Sequence, residues 1–246
     1  LGRGVAASGA LATRMGLSGV TVAAETIALH TIFELVRSTQ ARVHLCRISS
    51  AQGVELVRQA KAEGLPITAD VSINSLHLTD ADMGYFDSRA RLVPVLRQQR
   101  DRDALRAGLA DGTIDVLVSD HTPVDADAKA LPFAEAVPGA TRLELLWSLA
   151  RKWGQGAGLP VPQVLSRITA DPSRVLGSTL GSLQDSVGHL AVGGVADVCV
   201  LSTEGHWLVR DAALRSQGKS TPFSGYELPG RVLATVVGGQ VAFEAA

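Results

Sequence analysis

The 246-residue sequence is poor in cysteine, in aromatic residues and in net charge. Its two cysteines, Cys46 and Cys199, are too few for a disulfide framework and indicate buried thiols in a reducing compartment, so we expect a cytoplasmic protein. A formal net charge of −1 predicts no nucleic-acid partner. No apolar run approaches the ~18 residues that cross a bilayer, and the N-terminal stretch lacks a signal peptide's apolar segment, so we expect no membrane association.

The residues that are abundant indicate a large aliphatic core with α/β order. Hydrophobic residues make up 46% of the chain and aromatic residues only 4%. Apolar spacing predicts a helix over 24–36, strands over 41–48, 66–73 and 114–118, and helices between them. Either Ser49 or Ser50 is expected to cap the helix that follows the first of these strands. This alternation predicts right-handed βαβ units and a parallel sheet. The glycine- and alanine-rich residues 1–19 predict a loop, and amphipathic helices are predicted over 142–152 and 161–169.

The pattern of apolar residues and glycines changes after Val187. Short apolar runs separated by glycine turns predict strands over 198–201, 207–209, 232–237 and 241–243. We therefore expect two units, a β/α portion over 1–187 and a small antiparallel sheet over 188–246.

The predicted strand 114–118 ends in Ser119, Asp120 and His121. Polar side chains at the carboxyl end of a buried parallel strand are where β/α enzymes place their chemistry. Asp120 and His121 are therefore candidate functional residues. An ordinary turn cap and a loop histidine explain the same pattern, and the two interpretations stay open at this point.

Several longer motifs resemble the dihydroorotases, a family of the amidohydrolase superfamily. They are Asp111-Gly112-Thr113-Ile114-Asp115, Ser119-Asp120-His121-Thr122-Pro123, Val192-Gly193-Gly194-Val195-Ala196-Asp197-Val198, and Lys219-Ser220-Thr221-Pro222-Phe223-Ser224-Gly225. The resemblance implies the C-terminal part of a metallo-dependent-hydrolase (β/α)8 TIM-like barrel plus a small antiparallel β-sandwich segment. Because such a part exposes sheet edges, we expect either that an N-terminal portion exists or that the isolated chain aggregates.

Dihydroorotases are zinc enzymes that interconvert carbamoyl-aspartate and dihydroorotate, but this sequence departs from their pattern at most of the site. The altered positions are of two kinds, metal ligands and substrate contacts. The family has metal-binding histidines at the positions of Arg47, Asn74 and Ser75. It has a substrate-binding asparagine at the position of Val93 and a substrate-binding histidine at the position of Val124. Asp120, the family's ligand and proton shuttle, is the only retained ligand position. A guanidinium offers no lone pair to a metal, so we expect no metal, and we predict that Arg47 pairs with Asp120 instead.

The remaining histidines are not expected to replace the lost ligands. Strand alternation predicts that His44 lies on the opposite face from Arg47, satisfied within a packed layer. His77 is expected on a loop after the altered Asn74-Ser75 pair.

Three functional interpretations stay open. The chain is a non-catalytic dihydroorotase homologue in an oligomeric assembly with aspartate carbamoyltransferase, the partner that the resemblance implies. Alternatively, it is an active zinc dihydroorotase that uses Asp120 with groups upstream of residue 1. A third interpretation is a binding module for a small anion, clamped by Arg47.

Overall fold

The computed structural model describes residues 2–184 and 186–245. Within them, the strands are β1 (Ala6–Ala7), β2 (Gly19–Val20), β3 (Val43–Leu45), β4 (Ile67–Ser72), β5 (Val116–Val118), β6 (Val198–Leu208), β7 (Glu227–Val237) and β8 (Gln240–Glu244). The α-helices are α1 (Ala10–Arg14), α2 (Ala23–Thr39), α3 (Ala51–Ala62), α4 (Ile73–His77), α5 (Gln99–Asp111), α6 (Ala126–Lys129), α7 (Leu146–Gly156), α8 (Val161–Ser166) and α9 (Ala170–Leu176). Short 3-10 turns cover Asp80–Met83, Ser88–Ala90, Leu143–Leu145, Gly177–Leu183 and Asp211–Ala213.

The centre of the β/α portion is a parallel sheet in the order β3-β4-β5. Leu45 pairs with Ala69, and Val71 pairs with Leu117, so these four apolar side chains share one face. That face is buried in the main hydrophobic core. The opposite face carries His44, which pairs with Thr68, and the acid Asp70 two positions further along β4. The sheet confirms the predicted α/β class and parallel order.

Helices α3 and α5 cover the apolar face, and local sequence features set their ends. The Ser50 side chain accepts a hydrogen bond from the Gly53 amide and caps α3, as predicted. Helix α5 ends at Gly112, which adopts the left-handed conformation that glycine tolerates. The two helices approach closely at Gly108, where a Cβ atom would lie 2.9 Å from Val54 Cγ1.

Two predictions about element boundaries are wrong. Residues 1–19 are not simply a loop, because β1 and α1 lie within them, and β2 begins at Gly19 and pairs with β1 in parallel. These elements are too short to produce a visible periodicity. The helix predicted from Arg142 begins only at Leu146, after a 3-10 turn, and this leaves Arg142 outside the helix and buried.

The C-terminal strands form an antiparallel sheet in the order β6-β7-β8. The two strands predicted over 198–201 and 207–209 are one strand, β6, with a register irregularity between Ser202 and His206. The sheet packs on α7, where Trp147 Nε1 donates to the Ser202 carbonyl at 3.0 Å and Ser148 Oγ donates to the Gly230 carbonyl at 2.8 Å. The division at residue 187 stays a prediction. Among the described residues, no helix combines the length and apolarity that crossing a membrane requires.

Candidate functional site

The candidate site lies where β3 and β5 end, and it begins with two residues in an unusual backbone conformation. Arg47 has φ 59° and Asp120 has φ 50°. Residues other than glycine rarely have a positive φ angle, and backbone strain of this kind is often found at functional positions. The Arg47 amide donates to Asp70 Oδ1 at 2.7 Å, which fixes the turn after β3.

The ion pair predicted between Arg47 and Asp120 is present. Arg47 Nη1 lies 3.3 Å from Asp120 Oδ1 and 3.4 Å from the Val93 carbonyl oxygen. The Asp120 side chain is 7% exposed, and that of Arg47 is 42% exposed. One carboxylate oxygen of Asp120 therefore faces a partly solvated cation. Val93 contributes its backbone oxygen to this pair, while its own side chain is exposed.

Arg142 completes the site and was missed by the sequence reasoning. Its Nη1 lies 3.4 Å from Asp120 Oδ2, and its Nη2 donates to the Asp120 backbone oxygen. The residue is 1% exposed, and neither its Nε nor its Nη1 has a hydrogen-bond partner among the described residues, so the contact of Nη1 with Asp120 is purely an ion pair. Burial lowers the pKa of Arg142 to about 10, and the negative charge of Asp120 opposes that shift. Both oxygens of Asp120 are thus paired with guanidinium groups.

His121 is held by the same segment. Its Nδ1 accepts hydrogen bonds from the backbone amides of Arg142 and Leu143, each at 3.0 Å. The lone pair of Nδ1 therefore accepts these two hydrogen bonds, and in the neutral ring the proton is on Nε2. His121 orients the backbone that positions Arg142, and its ring is fixed as a result.

Asn74 and Ser75 are buried on α4, and no hydrogen bond among the described residues joins them to Arg47 or Asp120. Asn74 Nδ2 donates to Ser72 Oγ at 3.0 Å, while Asn74 Oδ1 is buried without a hydrogen-bond partner in the described part of the chain. His77 lies on α4 and not on a loop, so that prediction is wrong. His77 Nε2 bonds to the Leu149 carbonyl at 2.9 Å, and burial lowers its pKa to about 3.

Val124 lies in the segment that follows Asp120, away from the ion pairs. It lines a cavity of about 670 Å³ together with Lys129, Lys219 and Ser220. Lys129 Nζ donates to the carbonyls of Ser88 and Arg91, and burial lowers the pKa of Lys129 to about 8.

A second group of polar side chains lies beside the first, on the sheet face opposite the core. His44, Cys46 and Asp70 each offer an atom that could bind a metal, and these atoms lie within 4.8 Å of one another. His44 Nε2 lies 3.0 Å from Asp70 Oδ2, and His44 Nδ1 lies 2.7 Å from Thr68 Oγ1. Burial and the charge of Asp70 raise the pKa of the Cys46 thiol.

The side chains of His44 and Arg47 have different partners, Thr68 and Asp70 for His44 and Asp120 for Arg47, but strand alternation is not the reason. Strand β3 ends at Leu45, so strand alternation does not apply to positions 46 and 47. His44 and Arg47 instead meet at one carboxylate, since the His44 ring and the Arg47 amide contact the two oxygens of Asp70. A buried acid in strand Ile67–Ser72 was the available signal for this group, because acids are seldom buried without a partner.

The residues at the positions that the resemblance assigns to zinc do not fit zinc. The positively charged guanidinium groups of Arg47 and Arg142 contact the two carboxylate oxygens of Asp120, and neither group has a lone pair that could bind a metal. Asn74 and Ser75 offer an amide and a hydroxyl, which are poor zinc ligands beside imidazole and thiolate. Among the described residues, the group that could hold a metal is His44, Cys46 and Asp70, at a different place.

Comparison with known proteins places this geometry in a family. The model of the "Amidohydrolase family" matches residues 12–243. The "Dihydroorotase-like protein" of Pseudomonas aeruginosa is 39% identical over 241 residues, which are 98% of this chain and 55% of that protein. The "Dihydroorotase" of Geobacter sp. (strain M21) is 36% identical over 245 residues, 100% of this chain and 56% of that protein. The chain thus spans about half the length of the curated relatives it matches.

Solved structures agree on the fold. A D-hydantoinase (dihydropyrimidinase) from Thermus sp. superposes with a TM-score of 0.82 at 24% identity, over 91% of this chain and 49% of that one. An L-hydantoinase (dihydropyrimidinase) from Arthrobacter aurescens gives a TM-score of 0.81 at 25% identity, over 89% of this chain and 49% of that one. The likeness confirms the predicted portion of a β/α barrel.

Proposed function

The chain belongs to the amidohydrolase family, among dihydroorotase-like proteins, and we propose that it serves pyrimidine biosynthesis as a structural partner of aspartate carbamoyltransferase, without hydrolytic activity of its own. The assignment to pyrimidine metabolism rests on relatives named dihydroorotase or dihydroorotase-like. The partner rests on the resemblance of the sequence motifs to dihydroorotases.

One observation carries the loss of hydrolysis: both carboxylate oxygens of Asp120 are paired with arginines. Asp120 Oδ1 lies 3.3 Å from Arg47, and Asp120 Oδ2 lies 3.4 Å from the buried Arg142. A zinc hydrolase needs about three protein ligands with free lone pairs, and it needs an open position for the attacking water. At the positions of Arg47, Asn74 and Ser75 this chain supplies none of these ligands.

The contacts of Asp120 also disfavour a proton-shuttle role. Both of its carboxylate oxygens lie against guanidinium groups, so neither is open to a substrate or to a water molecule. In this arrangement Asp120 acts as the anionic centre of a structural network.

A second candidate, an active zinc dihydroorotase, is supported by the relatives that carry the name dihydroorotase at 36–37% identity. Residues outside this chain would then supply the ligands. The two candidates differ in their response to added zinc, because the active enzyme needs the metal for turnover.

The test combines an activity assay with an assembly assay. We expect no interconversion of carbamoyl-aspartate and dihydroorotate above background, with or without added Zn²⁺. We expect the purified protein to co-elute with aspartate carbamoyltransferase of the same organism in size-exclusion chromatography. Zinc-dependent turnover that Asp120→Asn abolishes would establish the hydrolase, and separate elution would contradict the partnership. A Tm increase with inorganic phosphate in metal-free buffer, lost in Arg47→Met, would favour anion binding instead.

A further inference from the structure

We propose that His44, Cys46 and Asp70 form a binding site for one divalent cation of the zinc type, separate from the arginine-filled positions around Asp120. An imidazole, a thiol and a carboxylate are the three donor types that zinc prefers in proteins. They come from two adjacent strands, with His44 on β3, Cys46 just beyond its end and Asp70 on β4.

The distances between the three donor atoms allow them to bind one shared ion after a small movement of the Cys46 side chain. The three donor atoms lie within 4.8 Å of one another, and His44 Nε2 is 3.0 Å from Asp70 Oδ2. Zinc bonds of about 2.0–2.3 Å place the ligands of a tetrahedral site about 3.5 Å apart. Cys46 is exposed and lies outside the strand, so rotation of its side chain can close the difference.

The neighbouring groups hold two of the ligands in place. The Arg47 amide donates to Asp70 Oδ1 at 2.7 Å, which leaves Oδ2 directed at His44. Thr68 Oγ1 lies 2.7 Å from His44 Nδ1. Metal-binding histidines are usually oriented in this way, by a hydrogen bond to the ring nitrogen that does not bind the metal.

The Thr68 hydroxyl is compatible with both states of the site, because it can donate or accept. Without a metal, the tautomer with its proton on Nε2 donates to Asp70 Oδ2, and its Nδ1 accepts from Thr68 Oγ1. With a metal, the ring proton moves to Nδ1 and is donated to Thr68 Oγ1, which frees the Nε2 lone pair. The Cys46 thiol releases its proton to solvent on binding. One thiolate and one carboxylate then balance the dication, and the fourth position is open to water.

The side chain of Arg47 does not occupy this site. Its guanidinium contacts Asp120 and the Val93 carbonyl, while only its backbone amide reaches Asp70. The proposal is therefore independent of whether the Asp120 region is catalytic, since no ligand is shared between the two places.

Cobalt(II) provides the test, because a Co²⁺–thiolate bond produces a sulfur-to-metal charge-transfer absorption that needs no enzymatic activity. We titrate the metal-free purified protein with CoCl₂ and expect this band to saturate at one ion per chain. Cys46→Ser should abolish the band and weaken Co²⁺ binding by more than about 100-fold, since loss of an outer-shell partner alone costs 10–100-fold. The matched control is Cys199→Ser, which removes the other exposed cysteine and should leave the titration unchanged.

A second variant tests the carboxylate without removing its structural role. Asp70→Asn keeps an oxygen that accepts from the Arg47 amide but loses the charge, and we expect the Co²⁺ affinity to fall while thermal unfolding stays cooperative. No charge-transfer band in the wild-type protein would overturn the proposal. A band that survives Cys46→Ser, or that is lost in Cys199→Ser, would overturn it equally.

Discussion

The pairing of Asp120 with a buried arginine makes a quantitative prediction for Asp120→Asn. Asparagine tolerates the positive φ of 50° at this position, so the substitution removes the charge without adding backbone strain. Arg142 is 1% exposed, and Asp120 is its only carboxylate partner within 4.0 Å among residues 2–184 and 186–245. The variant therefore leaves a buried guanidinium without a counter-ion.

The magnitude follows from the distance and the burial. At 3.4 Å and an effective dielectric constant of about 20, two unit charges interact by about 5 kcal/mol. The 3.3 Å pair with the partly exposed Arg47 is closer to the aqueous limit, where the interaction is about 1 kcal/mol. Breaking a buried pair on one side typically costs about 3–5 kcal/mol. We therefore expect Asp120→Asn to lower the free energy of unfolding by about 3–5 kcal/mol.

A double-mutant cycle separates this effect from general disruption. Arg142→Met removes the buried charge while Asp120 keeps Arg47, so the double variant should be more stable than the sum of the two single losses predicts, by about 2 kcal/mol. Arg47→Met is the control and should cost about 1 kcal/mol. The measurement is urea unfolding followed by circular dichroism. A loss below about 1 kcal/mol in Asp120→Asn, or additive losses in the cycle, would refute the reasoning.

Three further predictions concern the packing and the buried titratable groups. Gly154→Ala places a Cβ 2.2 Å from Val164 Cγ2 and should cost about 1–3 kcal/mol, whereas Gly156→Ala on the same helix meets only a flexible arginine end and should be neutral or stabilising in thermal unfolding. The pKa of His77 is about 3 in the fold against 6.5 when free, so the unfolded state binds the proton first. Stability should therefore fall by about 2 kcal/mol from pH 6.5 to 4.5 through this group, and His77→Gln should lose that part of the pH dependence in urea titrations; equal slopes for both proteins would contradict it. The pKa of Lys129 is lowered from 10.5 to about 8, so the unfolded state binds more protons between these pH values. The free energy of unfolding should therefore rise by roughly 1–3 kcal/mol as the pH increases across that window. Lys129→Met should flatten this rise, and a profile that the variant leaves unchanged would show that the lysine is solvated.

The sequence allowed the parallel sheet, the capped helix α3, the family and the Arg47–Asp120 pair to be predicted, and it failed at Arg142 and Asp70. Strand β4 alternates apolar and polar residues, and strand β5 is apolar throughout, so both have a pattern that is typical of strands. Arg142 is different, because an arginine that is buried beside a counter-ion from another part of the sequence has the same local sequence pattern as an arginine on the surface. Its counter-ion lies 22 residues away in the chain, and its burial depends on how the segment between them folds back.

Asp70 shows the second limit of sequence reasoning. The alternation rule applies to His44 inside β3, but the prediction extended it to Arg47, beyond the residue where the strand ends. The left-handed turn at Arg47 brings its amide to the same carboxylate that His44 contacts. A backbone change of this kind comes from tertiary contacts, and no residue in the motif marks it.

If the chain lacks metal chemistry, as we propose, the charges around Asp120 account for a fold that persists without the metal. Two guanidinium groups supply to Asp120 the same total charge as one divalent cation, and the Arg47–Asp120 pair connects the ends of β3 and β5. A guanidinium, however, has no vacant coordination position, and it cannot bind a water molecule or lower the pKa of one. The electrostatic role of a cation and its Lewis-acid role are therefore separable, and Arg47 and Arg142 can supply only the first.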